Sequence, residues 1–93
     1  MTPVAGPAYV STVLALYLDL PDTPGRASVH DQAVARVLFE RGVPLAAVES
    51  GLLFGSLRRR VRPAEALPLP PVRSLAYFQA VIAEVQSTSS RAR

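Results

Sequence analysis

The sequence predicts an all-α fold, a compact bundle of about four helices with a proline-rich linker before the last. Three observations carry this. Apolar residues recur at helical spacing in four separate stretches, helix-stopping and helix-starting residues stand between them, and after the first stretch no segment alternates convincingly as a strand would. With 93 residues there is one domain at most, and a chain of that size buries about two thirds of the surface it exposes when unfolded. A hydrophobic content of 49% argues against disorder over the whole length. The boundaries read from composition are an N-terminal arm over 1–7, a helical domain over 8–86 and a disordered polar tail over 87–93.

The first helix begins near Pro7, which suits a first turn because its missing N–H would be unpaired there anyway. Tyr9, Val10, Val13, Leu14, Tyr17 and Leu18 follow the i, i+3, i+4, i+7 spacing of one helical face. Leu14, Leu16, Leu18 and Leu20 also alternate as a strand would, but a lone strand needs a partner, so the helix is preferred. Pro21, Pro24 and Gly25 end this element. Ser28 and Asp31 form a variant capping box that starts the second helix, in which Ala33, Val34, Val37 and Leu38 make the buried stripe and Arg36 can pair with Glu40.

Gly42 is placed to end the second helix as its left-handed C′ residue, and Pro44 to start the third. In the third helix Leu45, Val48, Leu52, Phe54 and Leu57 supply bulk, with Leu53 on the flank, and it is expected to be central. Ala47, Gly51 and Gly55 recur every fourth residue. A mid-helix glycine costs about 1 kcal/mol relative to alanine, so a second helix backbone is expected to approach closely there. An intramolecular crossing is preferred over a dimer seam, which is the alternative use of this groove. The linker over 62–71 carries Pro63, Pro68, Pro70 and Pro71, and its leucines are expected to tack it to the bundle. Ser74 is an N-cap for the fourth helix, whose face is Leu75, Phe78, Val81, Ile82 and Val85 and whose end falls near Gln86.

Several function classes are excluded by residue type. The chain has no cysteine, so disulfides, thiolate catalysis and cysteine-based zinc sites are ruled out. His30 is the lone histidine and is expected in the exposed first turn of the second helix; without a second N or S ligand it makes no transition-metal site. Asp19, Asp22 and Asp31 lack calcium-loop spacing, and no nucleophile elbow, Walker loop or dinucleotide fingerprint is present. The reading is a non-enzyme without cofactor or metal. The longest unbroken apolar run, residues 13–18, is far short of the roughly 20 that span a bilayer. No leader pattern precedes it, so a cytoplasmic chain without a membrane partner is expected.

Charge is the informative feature. All ten basic residues are arginine, as a GC-rich genome would supply, but their distribution is uneven. Arg58, Arg59, Arg60, Arg62 and Arg73 lie between Ser56 and Ser74 with Glu65 as the one acid, while the rest of the chain is nearly balanced. Such a cluster can neutralise phosphates, with Tyr77 one turn into the fourth helix as a platform for a base. Arginines in a last turn also complement the helix dipole, which is the purely structural use of the same residues. The corner at Gly42 invites a helix-turn-helix reading, but its base-reading positions would be Ala46, Ala47, Glu49 and Ser50, which offer no arginine, asparagine or glutamine for base edges.

The run RGVPLAAVE from Arg41 to Glu49, the apolar helix ending in arginine, the proline linker and RSLAYFQAVI from Arg73 to Ile82 together resemble small bacterial proteins associated with replication and mobile elements. In outline this order is similar to the C-terminal domain of DnaD-like primosomal proteins. That family carries a Tyr-x-x-x-Ile-x-x-x-Trp motif; here Tyr77, Val81 and Val85 stand at the matching spacing, and the chain departs from the motif in having no tryptophan, which leaves Tyr77 as the candidate contact. The resemblance implies a helical module that binds DNA, often single-stranded, and helps load or remodel a replication complex. The expected partners are therefore DNA, a replication-complex protein or a second copy of the chain.

Overall fold

A computed structural model describes residues 6–61, 67 and 69–91. It has four α-helices: α1 (Gly6–Leu18), α2 (Val29–Glu40), α3 (Leu45–Arg60) and α4 (Gln79–Arg91), with a 3-10 turn over Leu75–Phe78 leading directly into α4. The fold is a small all-α bundle without strands among the described residues. Among the described residues no helix is long and apolar enough to cross a membrane.

Each helix boundary has a local cause. Gly6 and Pro7 already belong to α1, so the domain starts two residues before the expected boundary; residues 1–5 of the expected arm lie outside the described residues. Tyr9, Val13 and Tyr17 form the buried stripe of α1 at i, i+4, i+8, which settles the helix reading of that stretch. Ser28 and Asp31 close a reciprocal capping box at the start of α2. At its end Gly42 takes φ 72°, and the N–H groups of Gly42 and Val43 donate to the carbonyls of Phe39 and Leu38 at 3.0 and 3.1 Å. This is the double bond of a Schellman turn, and it carries Val43 into the core. Ala35 rather than Ala33 joins Val34 and Leu38 inside, and the Arg36–Glu40 pair is not among the ion pairs of the described residues.

The α3–α4 crossing uses the small-residue groove within the chain. A Cβ built on Gly51 would lie 2.8 Å from the Ile82 Cα, and one on Gly55 would lie 2.6 Å from the Phe78 ring. The groove is therefore filled by α4 and its leading turn, and is closed to a second copy in this fold. Because α3 turns Val48, Gly51, Leu52 and Gly55 inward, Leu53, Phe54 and Leu57 are about half exposed, which corrects the expectation that Phe54 and Leu57 supply core bulk. The core is completed by Leu75, Phe78 and Ile82, with the Phe78 ring edge-on to Tyr17.

Two further expectations are corrected. The helix that was to end near Gln86 continues to Arg91, so most of the expected disordered tail is helical, and residues 92–93 lie outside the described residues. The linker is only partly tacked down by its leucines: Leu67 is 82% exposed, while Leu69 is 41% exposed and lies on the wall of a surface groove. Val72 is the buried anchor instead, its N–H donating to the Asp22 carbonyl at 2.8 Å. Asp22 sits in the left-handed region at φ 64°, a conformation aspartate tolerates better than most residues, and this turns its carbonyl toward the linker.

Candidate functional site

The basic cluster lies where the end of α3 meets the segment leading into the 3-10 turn. Two buried constraints position that segment. The first is Val72, bound to the turn after α1. The second is Asp31, 1% exposed, whose Oδ2 accepts the Ser28 N–H at 2.9 Å while its Oδ1 accepts the Leu75 N–H at 2.9 Å. A single carboxylate thus caps α2 and holds the start of the 3-10 turn from forty-four residues away. Burial pushes the Asp31 carboxyl up, but the Ser28 and Leu75 N–H groups and the Ser28 and Ser74 hydroxyls outweigh it and hold its pKa below the ordinary value. The capping role was readable from sequence. The bond to Leu75 was not, because no spacing rule links residues so far apart.

The five arginines do not act as one cluster. Arg59, with a side chain only 9% exposed, is an internal brace. Its guanidinium donates to the Pro70 carbonyl at 2.7 Å and to the Tyr77 hydroxyl at 3.2 Å, lies 5.3 Å from the centroid of the Tyr77 ring, and approaches the Asp22 carboxylate at 3.9 Å. It clamps the proline segment, the 3-10 turn and the turn after α1 together. Arg58 points elsewhere and pairs with Glu84 of α4 at 2.8 Å, both side chains being largely exposed. Arg60 and Arg73 are exposed and have no ion-pair partner among the described residues. Arg62 lies outside the described residues.

What the fold does bring together is Arg59, Arg73 and Tyr77, which line a groove of about 410 Å³ walled by Leu69, Pro70 and Pro71. Tyr77 is 49% exposed, held by Arg59 and packed edge-on against Phe78 at 5.1 Å. Arg60 faces away from this groove, into another between α1 and α3. Ala47 is half-buried beside the core, and with Gly51 and Gly55 it belongs to the packing of α3. His30 is exposed in the first turn of α2, and no group of three His, Cys, Asp or Glu side chains able to hold a metal occurs among the described residues.

Sequence reasoning missed the inward turn of Arg59. The signal was present: Val48, Leu52, Gly55 and Arg59 stand at i, i+4, i+7 and i+11, which places Arg59 on the same face as the packing glycines. Compared with known proteins, the chain matches no family model, no curated protein and no solved structure.

Proposed function

We propose that this chain is a non-catalytic DNA-binding module that engages the phosphate backbone, single-stranded DNA in particular, through Arg73 with Tyr77 beside it as a platform for a base, and through Arg60 and Arg58 on other faces of the end of α3. The observation that carries the reading is the exposure of Arg60 and Arg73 without ion-pair partners among the described residues, on a chain whose positive charge is concentrated in this segment. Arg58 is available to the same task, since an exposed pair such as Arg58–Glu84 is worth about 0–1 kcal/mol and a phosphate competes readily for the guanidinium. Arg59 serves indirectly: by fixing Tyr77 and the proline segment it presents a rigid groove beside Arg73.

Binding of this kind draws its free energy from counterion release, and each phosphate neutralised on a single strand contributes about −0.7 to the slope of log Kobs against log salt. Three arginines therefore give a slope of about −2. The resemblance of Arg41 to Glu49 and Arg73 to Ile82 to DnaD-like primosomal proteins supports a replication or mobile-element context in a bacterial cytoplasm, with a replication-complex protein as a further partner. Fluorescence anisotropy with labelled single- and double-stranded oligonucleotides at two salt concentrations tests the proposal. The expected result is binding at low salt that weakens steeply as salt rises, stronger for the single strand. Absence of binding at low salt overturns it.

A further inference from the structure

The solvent face of α3 carries an apolar seam that phosphate binding does not account for, although Arg60 at its end is shared with that reading. Ala46, Ser50, Leu53, Leu57 and Arg60 succeed one another at spacings of four, three, four and three, the seam spacing of a helix that packs against another helix. Leu53 and Leu57 are about half exposed, Phe54 lies equally exposed beside them, and the three make a continuous apolar surface. Next to it runs a groove of about 420 Å³ between α3 and the end of α1, lined by Leu16, Leu20, Leu53 and Leu57, with Asp19, Glu49 and Arg60 also on its wall; Asp19 belongs to the α1 side, and Glu49 and Arg60 are the charges α3 itself presents.

We infer that this face pairs with the same face of a second copy, the two α3 helices lying antiparallel about a two-fold axis at the level of residues 54–55. The charges select this occupant. Glu49 and Arg60 are both exposed, neither has an ion-pair partner among the described residues, and eleven residues of helix separate them by about 16 Å, too far to meet within one chain. In an antiparallel pair centred at 54–55, Glu49 of each copy stands opposite Arg60 of the other, so both ends of the apolar seam are closed by an ion pair. In a parallel pair like charges would meet at both ends. A face that is apolar in the middle, acidic at one end and basic at the other is complementary to itself under a two-fold rotation, the symmetry of an isologous dimer. The surface is separate from the small-residue groove, which α4 fills.

Sedimentation equilibrium of the full chain without nucleic acid, from micromolar to millimolar protein, tests the inference. The wild type is expected to pass from 9.9 kDa to twice that mass as concentration rises. Leu53→Glu is expected to remain monomeric throughout. Glu49→Arg and Arg60→Glu each replace two attractive pairs by repulsive ones and are expected to weaken association roughly tenfold, while the combined swap restores it. Both charged positions are exposed, so these variants keep the test valid if Leu53→Glu unfolds, with far-ultraviolet circular dichroism as the check on folding. A wild type that stays at 9.9 kDa in the millimolar range overturns the inference. So does association retained by folded Leu53→Glu, or a combined swap that associates no better than its single variants.

Discussion

Tyr9 and Tyr17 stand on the same buried face of α1, and their hydroxyls meet opposite circumstances. The Tyr9 hydroxyl donates to the Val43 carbonyl at 2.6 Å, fixing α1 against the corner between α2 and α3. The Tyr17 hydroxyl is buried without a hydrogen-bond partner among the described residues, and burial together with the nearby Asp31 charge pushes its pKa up to about 12. Removing the oxygens should therefore have opposite signs. Tyr9→Phe leaves a buried carbonyl unpaired and is expected to cost about 1–2 kcal/mol, while Tyr17→Phe removes an unpaired group and is expected to be neutral or stabilising by about 1 kcal/mol, as read by urea denaturation. Raised above its ordinary value of 10.0, the Tyr17 pKa contributes stability that is full below that pH and lost as pH climbs through about 12, so Tyr17→Phe also flattens the alkaline limb. Asp31 acts at the other end of the scale. Its pKa is depressed in the folded chain, so its stabilisation is full above the ordinary value of 3.8 and disappears as pH falls through the folded value. Asp31→Asn keeps one acceptor oxygen for two N–H donors and should cost about 2–3 kcal/mol near neutrality. In melting curves that gap is expected to close as pH is lowered below 4.

At the scale of elements, the α3–α4 crossing reverses the usual effect of a glycine replacement. On an open helix Gly→Ala gains about 1 kcal/mol. At Gly51 the new methyl meets the Ile82 main chain, which cannot move aside without separating the helices. Gly51→Ala is expected to destabilise by about 2 kcal/mol net, and Gly55→Ala by less, because there the obstacle is the Phe78 ring alone; thermal denaturation compares the two. The crossing was legible because glycines at four-residue spacing inside an apolar helix have few other uses. The starts and stops were largely legible for a similar reason: Ser28 and Asp31 cap α2 and Gly42 takes the positive φ that ends it, as expected, while Ser74 caps the 3-10 turn that precedes α4 and not α4 itself. The inward face of α3 was not legible. Bulky residues surround that helix almost completely, from Leu45 to Leu57, so periodicity could not decide which to bury, and the approach of α4 over the glycines decided it. The continuation of α4 past Gln86 was hidden by a Ser- and Thr-rich stretch of modest helix propensity.

Over the whole molecule, the uneven charge was plain in the sequence, but its division of labour was not. Three consecutive arginines point in three directions from a helix; the spacing from Val48, Leu52 and Gly55 puts Arg59 on the inner face, but only the packed structure shows what it braces, that Arg58 meets Glu84 and that Arg60 has no ion-pair partner among the described residues. Arg73 gains its place beside Tyr77 from Val72 and from the Asp31–Leu75 bond, which join distant parts of the chain. The proposed function thus rests on the free arginines, with the buried one as scaffold. The most direct measurement is the salt dependence of single-stranded DNA affinity for the wild type and Arg73→Ala, side by side. The expected result is a slope of about −2 for the wild type, reduced in magnitude by about 0.7 in Arg73→Ala, with an unchanged melting temperature. No affinity at low salt, or a slope that Arg73→Ala leaves untouched, would contradict it.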